Sequence, residues 1–212
     1  EYFFKKNKNR VIINIGGISN ITYLPVNKKI TGFDCGPGNI LLDHWIKIHH
    51  NKNFDHIGRW AKSGKLIEAL LLKLQKDSFF KKIPPKSTGR ELFNIDWLNK
   101  FYVKNYPPED IQRTLLELTV VTINNAIKIF CSSVDEIYIC GGGSKNKFLI
   151  ERLEEITGRN IDTTDKLNIP SQQVEAIAFA WLAKKCIQKK YNNSPTITGA
   201  SGPRILGTIH YS

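Results

Sequence analysis

The sequence predicts an α/β fold in which a mixed sheet of five strands is covered by helices on both faces. Three short apolar runs separated by brief turns come first, which is the pattern of an antiparallel meander. Helical and strand-like segments then alternate to the end of the chain, as they do where helical crossovers join parallel strands. At 212 residues, 41% hydrophobic and 24% charged, the chain is long enough to bury a substantial core.

The five predicted strands are short apolar runs bounded by turn residues. The first three are "NRVIINIGG", "SNITYLP" and "KKITGFDCG", of which the second alternates polar and apolar residues with period two. The fourth is "VDEIYICGGG" and the fifth is the shorter "NIDTT". Since the first and fourth strands run into glycines, we expect glycine clusters at the carboxyl ends of two strands.

The predicted helices carry apolar residues at helical spacing. They are "GNILLDHWIKIHH", a segment around "KLIEALLLKLQKD", the end of "PPKSTGRELFNIDWLNKFYV", residues 108–130, "KNKFLIERLEEIT" and "PSQQVEAIAFAWLAKKCIQ". Apolar residues trace more than one side of helix 108–130, so we expect it to be covered on more than one face. In the final helix, the residues predicted to point inward are Val174, Ile177, Ala178 and Trp181.

This order of elements is the ribonuclease-H-like layout: three antiparallel strands, helices, then strand, helix, strand and helix. Ligands of such open sheets gather beyond the carboxyl ends of the strands. Two glycine clusters are predicted at those places, Gly16 and Gly17 after the first strand and Gly141, Gly142 and Gly143 after the fourth.

Composition restricts the function. The net charge of +12 is typical of nucleic-acid binding, but the lysines are scattered, and no recognition-helix layout or RNA-binding aromatic signature is present. We therefore predict a solvated basic surface and no nucleic-acid partner. No apolar run reaches about 18 residues and the amino end lacks a signal layout, which predicts a soluble, cytoplasmic protein without a membrane contact.

No metal site or disulfide framework is predicted. The four cysteines are far apart and form no C-x-x-C pair, which suits a reducing compartment. The histidine pair in "IHH" is explained by the end of a helix. The chain contains no methionine and starts at Glu1, so we expect a fragment or a processed chain.

The glycine clusters are candidate anion sites. In "NIGGISN", residues 14–20, glycines allow a tight turn with N–H groups that point at an anion, or simply form a hairpin turn with a bulge. "CGGGSKN" opens a helix whose amino-terminal dipole favours phosphate or ribose oxygens. It matches neither the dinucleotide pattern, since Asn146 replaces the last glycine, nor the P-loop pattern. A Rossmann or P-loop enzyme is disfavoured.

Seven motifs in order, from about residue 10 to residue 209, resemble the anhydro-N-acetylmuramic acid kinase family of bacteria, within the sugar-kinase, heat-shock-chaperone and actin superfamily. They are "NIGGISNITYL", "GFDCGPGNILLDHWI", "PPKSTGRELFN", "DIQRTLLELTVVTI", "CGGGSKNKFL", "IPSQQVEAIAFAWLA" and "TGASGPRILGTI".

The resemblance implies a two-lobed kinase of cell-wall recycling that uses ATP and magnesium. It would open the ring of an amino sugar, 1,6-anhydro-N-acetylmuramic acid, with water and phosphorylate its 6-oxygen. Residues 1–212 would form the C-terminal actin-like ATPase lobe, with a helical insert at about 65–130 through which the family implies a homodimer. The family's G-T-S-x-D-G phosphate loop and catalytic aspartate lie in an N-terminal lobe absent from this chain. No catalytic residue is therefore assigned, and neither Asp34 nor Asp43 is taken as the general base.

The same resemblance assigns the nucleotide-binding residues. Asn14, Gly16 and Gly17 match the family's second phosphate motif, although Asn14 stands where many superfamily members carry an aspartate. The adenosine motif, whose small residues let adenine and ribose lie against the backbone, is matched by Gly141, Gly142, Gly143, Ser144 and Asn146.

Four substrate contacts are also implied. Glu175 matches the family's acidic residue near the amino sugar, and the alternative is a solvated helix glutamate. Asp34 matches a loop before the first helix. Lys86 and Arg90 are candidates for the lactyl carboxylate or a phosphate, since arginine's planar fork suits such groups. The pattern "TGRE" of residues 88–91, which includes Arg90, is equally typical of a helix capping box, and both interpretations stay open.

A second functional class stays open beside the kinase. The chain is alternatively a catalytically inactive nucleotide-binding or scaffold remnant that has kept the fold. Because superfamily kinases bind nucleotide between two lobes, we expect the isolated chain to bind ATP weakly.

Overall fold

The computed structural model describes residues 2–210 and contains a five-stranded mixed sheet in the order β3-β2-β1-β4-β5. The strands are β1 (Arg10–Ile15), β2 (Ile18–Leu24), β3 (Thr31–Pro37), β4 (Glu136–Cys140) and β5 (Ile161–Thr163). β2 pairs antiparallel with both β1 and β3, whereas β4 runs parallel to β1 and to β5. The predicted meander and mixed sheet are confirmed.

Eight α-helices occur within the described residues, besides short 3₁₀ turns. They are α1 (Ile40–His50), α2 (Arg59–Ser63), α3 (Glu68–Leu74), α4 (Ile95–Asn99), α5 (Pro108–Phe130), α6 (Lys147–Thr157), α7 (Val174–Ile187) and α8 (Pro195–Thr198). The prediction of helix 108–130 is confirmed at both ends, where Pro108 takes the first helical position. Over residues 2–210, every helix is too short or too polar to cross a bilayer.

The main core lies on one face of the sheet. Alternate residues of β1, Val11, Ile13 and Ile15, point to this face and are fully buried. Helix α5 contacts β2 and β3 there, and also α1, α2, α3 and α6. Residues 111–120 of α5 are buried without interruption. The prediction that this helix is covered on more than one face is confirmed.

The second face of the sheet is covered less completely. Its small apolar cluster is built from Ile12, Leu24, Tyr138 and Cys140, with Val174 of α7 packed against it. No residue of α7 is fully buried.

The face of α7 that was predicted to point inward is therefore only partly buried. Val174, Ile177 and Trp181 are only half-buried, and Ala178 is exposed. They line an open apolar cavity of about 330 Å³ with Phe3. The spacing predicted an apolar face, and within residues 2–210 this face is covered only in part, where Val174 packs against the small cluster of the sheet.

Of the two interpretations of "TGRE" that the sequence left open, the helix capping box is wrong. Thr88 and Glu91 lie before the helix, and α4 begins only at Ile95. Its cap is Asn94, whose Oδ1 accepts a hydrogen bond from the Trp97 N–H at 2.9 Å. The capping-box spacing was present, but Asp34 accepts the Thr88 N–H instead, at 2.8 Å, and draws this segment toward β3.

A buried ion-pair cluster joins α5 to α6. The Glu117 carboxylate, with a side chain 4% exposed, accepts hydrogen bonds from Arg113 at 2.6 Å and from Arg152 at 2.9 and 3.1 Å. Burial alone raises the pKa of Glu117, but the hydrogen bonds and charges of Arg152 and Arg113 outweigh it and hold that pKa below its ordinary value. The cluster positions α6 and the glycine turn that precedes it.

Replacement Glu117→Ala is expected to lower the free energy of unfolding by about 3 kcal/mol, because two largely buried guanidinium groups lose their partner. Urea unfolding measures it. The matched control Glu155→Ala removes a carboxylate that is 68% exposed and contacts Arg152, and should cost less than about 1 kcal/mol.

The contribution of Glu117 to the free energy of unfolding depends on pH. Because the folded-state pKa of Glu117 is depressed, its contribution is present above the unfolded-state pKa and lost as pH falls through the folded-state pKa. The difference in stability between wild type and Glu117→Ala should therefore shrink in acid. Equal losses in the Glu117 and Glu155 variants would contradict this role.

Candidate functional site

The two glycine turns lie side by side. In the parallel pairing of β1 with β4, Asn14 is opposite Cys140, so the segments that follow leave the same edge of the sheet. The turn at Gly16 and Gly17 connects β1 to β2, and the turn from Gly141 to Gly143 leads toward α6. The structure thus brings together the two clusters that the sequence predicted at strand ends.

Two of these glycines are required by the fold itself. Gly141 has φ +80°, and a Cβ atom there would contact Asn14 Oδ1 and lie 2.8 Å from the Ile15 carbonyl oxygen. A Cβ atom at Gly143 would lie 2.6 Å from the Cβ of Ile15. Both positions need glycine so that the second turn can pack against the end of β1.

Gly17 and Gly142 are different. A Cβ atom at either position would find its nearest neighbour at 3.7 Å, an ordinary contact, and neither backbone is in the left-handed region. Within residues 2–210, neither N–H group donates to a backbone acceptor. Because packing does not demand glycine there, these positions leave bare backbone and free donors for a ligand.

The polar side chains of the second turn hold the turn in shape. Ser144 Oγ donates to the Gly141 carbonyl at 2.7 Å, and Gln172 Nε2 donates to the same carbonyl and to Ser144 Oγ, both at 2.8 Å. Asn146 Oδ1 caps α6 by accepting the Leu149 N–H at 3.1 Å. Gln172 was missed from the sequence, since a glutamine before a helix carries no signal of its own.

A cavity of about 710 Å³ opens beside this turn, within the range of small-molecule sites. One wall is the second glycine turn with the start of α6, and another is the beginning of α1 with the segment of residues 53–57. The lining residues are Asn39, Leu42, Asp43, Asn53, Phe54, Asp55, His56, Ile57, Gly142, Ser144, Lys145, Asn146, Lys147 and Gln172. We call this space the glycine-turn cavity.

The outer wall of the glycine-turn cavity is held by Asp55, which sequence reasoning missed. Its carboxylate accepts the N–H groups of Trp60 at 3.0 Å and Ala61 at 2.9 Å, so it fixes the start of α2. Ile57 adopts φ 53°, a costly conformation for a β-branched residue, and Gly58 follows with φ +76°. Only the glycine in "HIGRW" signalled this tight turn.

A second cavity, of about 500 Å³, lies on the other face of the sheet. Its lining includes Asn14 of β1, Cys140 of β4 and Glu175 of α7. Cys140 Sγ donates to Asn14 Oδ1 at 3.7 Å, and burial raises the pKa of this thiol to about 11. Glu175 is exposed in the first turn of α7. We call this space the sheet-face cavity.

Asp34 and Lys86 line a third, adjoining cavity of about 530 Å³. Asp34 accepts hydrogen bonds from Ser87 Oγ at 2.9 Å and the Thr88 N–H at 2.8 Å. Lys86 Nζ lies 4.8 Å from the centre of the Phe79 ring, and burial lowers its pKa. Arg90 is exposed and lines none of the three cavities.

A pair of glycine variants separates packing from ligand space. Gly143→Ala is expected to lower the free energy of unfolding by about 2 kcal/mol, because the new methyl group meets Ile15. Gly142→Ala, one residue away, should change it by less than about 0.5 kcal/mol. Urea or thermal unfolding measures both. A large loss in Gly142→Ala would mean that the fold does require glycine there.

The fold of this chain is similar to that of a solved structure. Among solved structures, an activator of the 2-hydroxyisocaproyl-CoA dehydratase from Clostridium difficile with bound ADPNP aligns with a TM-score of 0.51 at 16% identity. The alignment covers 91% of this chain and 67% of that chain. At this identity the likeness concerns the fold alone, and it confirms the predicted ribonuclease-H-like architecture.

Sequence comparison identifies the family. Anhydro-N-acetylmuramic acid kinases from Nitrosospira multiformis and Nitrosomonas europaea are 48% and 47% identical to this chain over 98% and 99% of its length. The chain spans 57% and 58% of the length of these curated relatives. The model of the anhydro-N-acetylmuramic acid kinase family matches residues 1–212, and the chain belongs to that family.

Proposed function

We propose that this chain is the C-terminal, nucleotide-binding lobe of an ATP-dependent kinase of 1,6-anhydro-N-acetylmuramic acid in cell-wall recycling. The kinase opens the anhydro ring with water and transfers a phosphoryl group to the 6-oxygen, giving N-acetylmuramic acid 6-phosphate and ADP. One observation supports the proposed nucleotide binding. Gly17 and Gly142 leave bare backbone and free N–H groups at a shared edge, although packing would admit a side chain at either position.

The residues of this chain contribute binding and positioning. The N–H groups of Gly17 and Gly142, which have no backbone acceptor within residues 2–210, would donate to an anion, and the amino end of α6 adds its dipole. Within residues 2–210, no three carboxylate, histidine or cysteine groups are placed to hold a metal ion. A magnesium ion bound together with ATP would neutralise part of the charge of the phosphates.

Ring opening needs a carboxylate that activates water for attack at the anomeric carbon. We assign no such base among the described residues. We propose that it belongs to an N-terminal lobe, because the curated relatives extend well beyond the matched region. The exposed apolar side of α7, including Phe179 at 63% exposure, supports a second lobe that packs there.

The amino sugar is assigned to the sheet-face cavity, with Glu175 as an acceptor for its hydroxyl or amide groups. Asp34 and Lys86 lie in the adjoining cavity, where Lys86 offers a cation to the lactyl carboxylate. For a homodimer, the insert of about residues 65–130 exposes Leu72 and Tyr102, at 63% and 76%.

Nucleotide binding tests the first assignment. Gly17→Ala and Gly142→Ala should each weaken ATP binding about tenfold while the protein stays folded, because the methyl groups occupy ligand space. Calorimetric titration measures it, and Gly202→Ala is the control, since this glycine also has room for a Cβ atom and lies in neither glycine turn. We expect the isolated chain to bind ATP more weakly than about 1 µM. Unchanged affinity in both variants would overturn the site.

A variant of Glu175 tests the assignment of the amino sugar to the sheet-face cavity. In the natural protein, Glu175→Gln should raise the KM for 1,6-anhydro-N-acetylmuramic acid about tenfold and leave the KM for ATP within about twofold, since its cavity is separate. ADP release measures both constants. Glu68→Gln is the control, because Glu68 is likewise exposed in the first turn of a helix. If the natural protein releases no ADP with this sugar, the proposed substrate is wrong.

A further inference from the structure

Asp43 is the carboxylate of the glycine-turn cavity that has no hydrogen-bond donor. The other acidic group, Asp55, is saturated by two N–H groups of α2. On the opposite wall, Asn146 caps α6 and Gln172 is bonded within the turn. Among the bonds and ion pairs within residues 2–210, none involves the Asp43 carboxylate.

The surroundings of the Asp43 carboxylate favour a hydrogen bond donated by a ligand. Its side chain is partly buried in the first turn of α1, and burial, aided by the charge of Asp55, raises its pKa to about 6. The other titratable groups that line the cavity are His56 on the outer wall and Lys145 and Lys147 on the turn. At neutral pH the group is mostly ionised and poorly solvated, so a ligand N–H there would be stabilised.

An aromatic ring lines the same space. Phe54 is 61% exposed, yet it belongs to the wall of the cavity and not to the core. A flat ring with a free face is a surface on which a nucleobase can stack. The base end of a nucleotide would thus find an apolar plane and a hydrogen-bond acceptor together, while its phosphates reach the glycine turns.

We propose that Phe54 and Asp43 form the nucleobase subsite, in which the base stacks on Phe54 and its exocyclic amine donates a hydrogen bond to the Asp43 carboxylate. This inference rests on the proposed function, since it takes the glycine-turn cavity as the nucleotide site. Asp43 is then a specificity-determining residue that selects adenine.

The chemistry of the selection follows from donor and acceptor pairing. Adenine presents an amine at the position where hypoxanthine presents a carbonyl oxygen, and two acceptors facing each other repel. Once protonated, the Asp43 carboxyl can donate to that carbonyl. The preference for adenine should therefore be present well above pH 6 and fall as pH drops through about 6.

The test compares ATP with inosine triphosphate by calorimetric titration of the chain. At about pH 8 we expect the wild type to prefer ATP about tenfold, which is the worth of one hydrogen bond to a charged group. The preference should fall below about threefold at about pH 5, and also in Asp43→Asn at about pH 8. The control Asp96→Asn changes an exposed carboxylate that is also in the first turn of a helix, and should keep the preference.

A second variant isolates stacking. Phe54→Leu should weaken ATP and inosine triphosphate alike, by about fivefold, without changing their ratio. A ratio that changes with Phe54→Leu and not with Asp43→Asn would contradict the division of roles.

The remaining outcomes each overturn a stated claim. If wild type binds both nucleotides equally, or Asp43→Asn keeps the preference, the subsite is wrong while nucleotide binding stands. If Asp43→Asn instead removes discrimination between ATP and 2′-deoxy-ATP, Asp43 holds the ribose and the base assignment is wrong. If neither nucleotide binds at millimolar concentration, the glycine-turn cavity is not a nucleotide site, and the proposed function fails with it.

Discussion

The parallel pairing of β1 with β4 is the constraint on which the candidate site depends. It aligns Asn14 with Cys140, so the two glycine turns leave the sheet at one edge. Gly143 then packs directly on Ile15, which couples the second turn to the buried end of β1. A slip of one residue would exchange the two faces of the strand, bury Asn14 and expose Ile15. The register and the site are therefore stabilised by the same apolar contacts.

Helix α5 holds two walls of the glycine-turn cavity in place through hydrogen bonds to α1 and α6 and to the segment before α1. Trp45 Nε1 of α1 donates to the Pro108 carbonyl at 2.8 Å, and Thr119 Oγ1 donates to the carbonyls of Pro37 and Gly38 ahead of α1. On the other side, Glu117 binds Arg152 of α6. One buried helix thus holds both helices that border the cavity. Such rigidity suits phosphoryl transfer, where the protein contributes mainly position and electrostatic stabilisation.

Helices cover one face of the sheet fully and the other face only in part. The proposed substrate site lies on the face that is covered in part. The α5 face is a closed core, whereas the other face leaves Asn14 and Glu175 beside open apolar surface. An apolar helix side exposed in this way costs solubility unless another surface covers it. In the proposed kinase, a second lobe that covered this surface would also border the proposed substrate site, so one interface would serve both stability and catalysis.

The five strands, the long helix 108–130 and the two glycine turns could be predicted from the sequence, because local apolar periodicity and turn residues are strong signals. Its family motifs also marked Asn14 and Glu175 as site residues. That Asn94 and not "TGRE" begins α4 depends on a long-range contact, since a carboxylate from distant β3 competes for the Thr88 N–H. The tertiary structure also brought Asp43 and Phe54 to one cavity and left the apolar side of α7 partly exposed. These features depend on which surfaces meet in space, and local spacing carries no information about that.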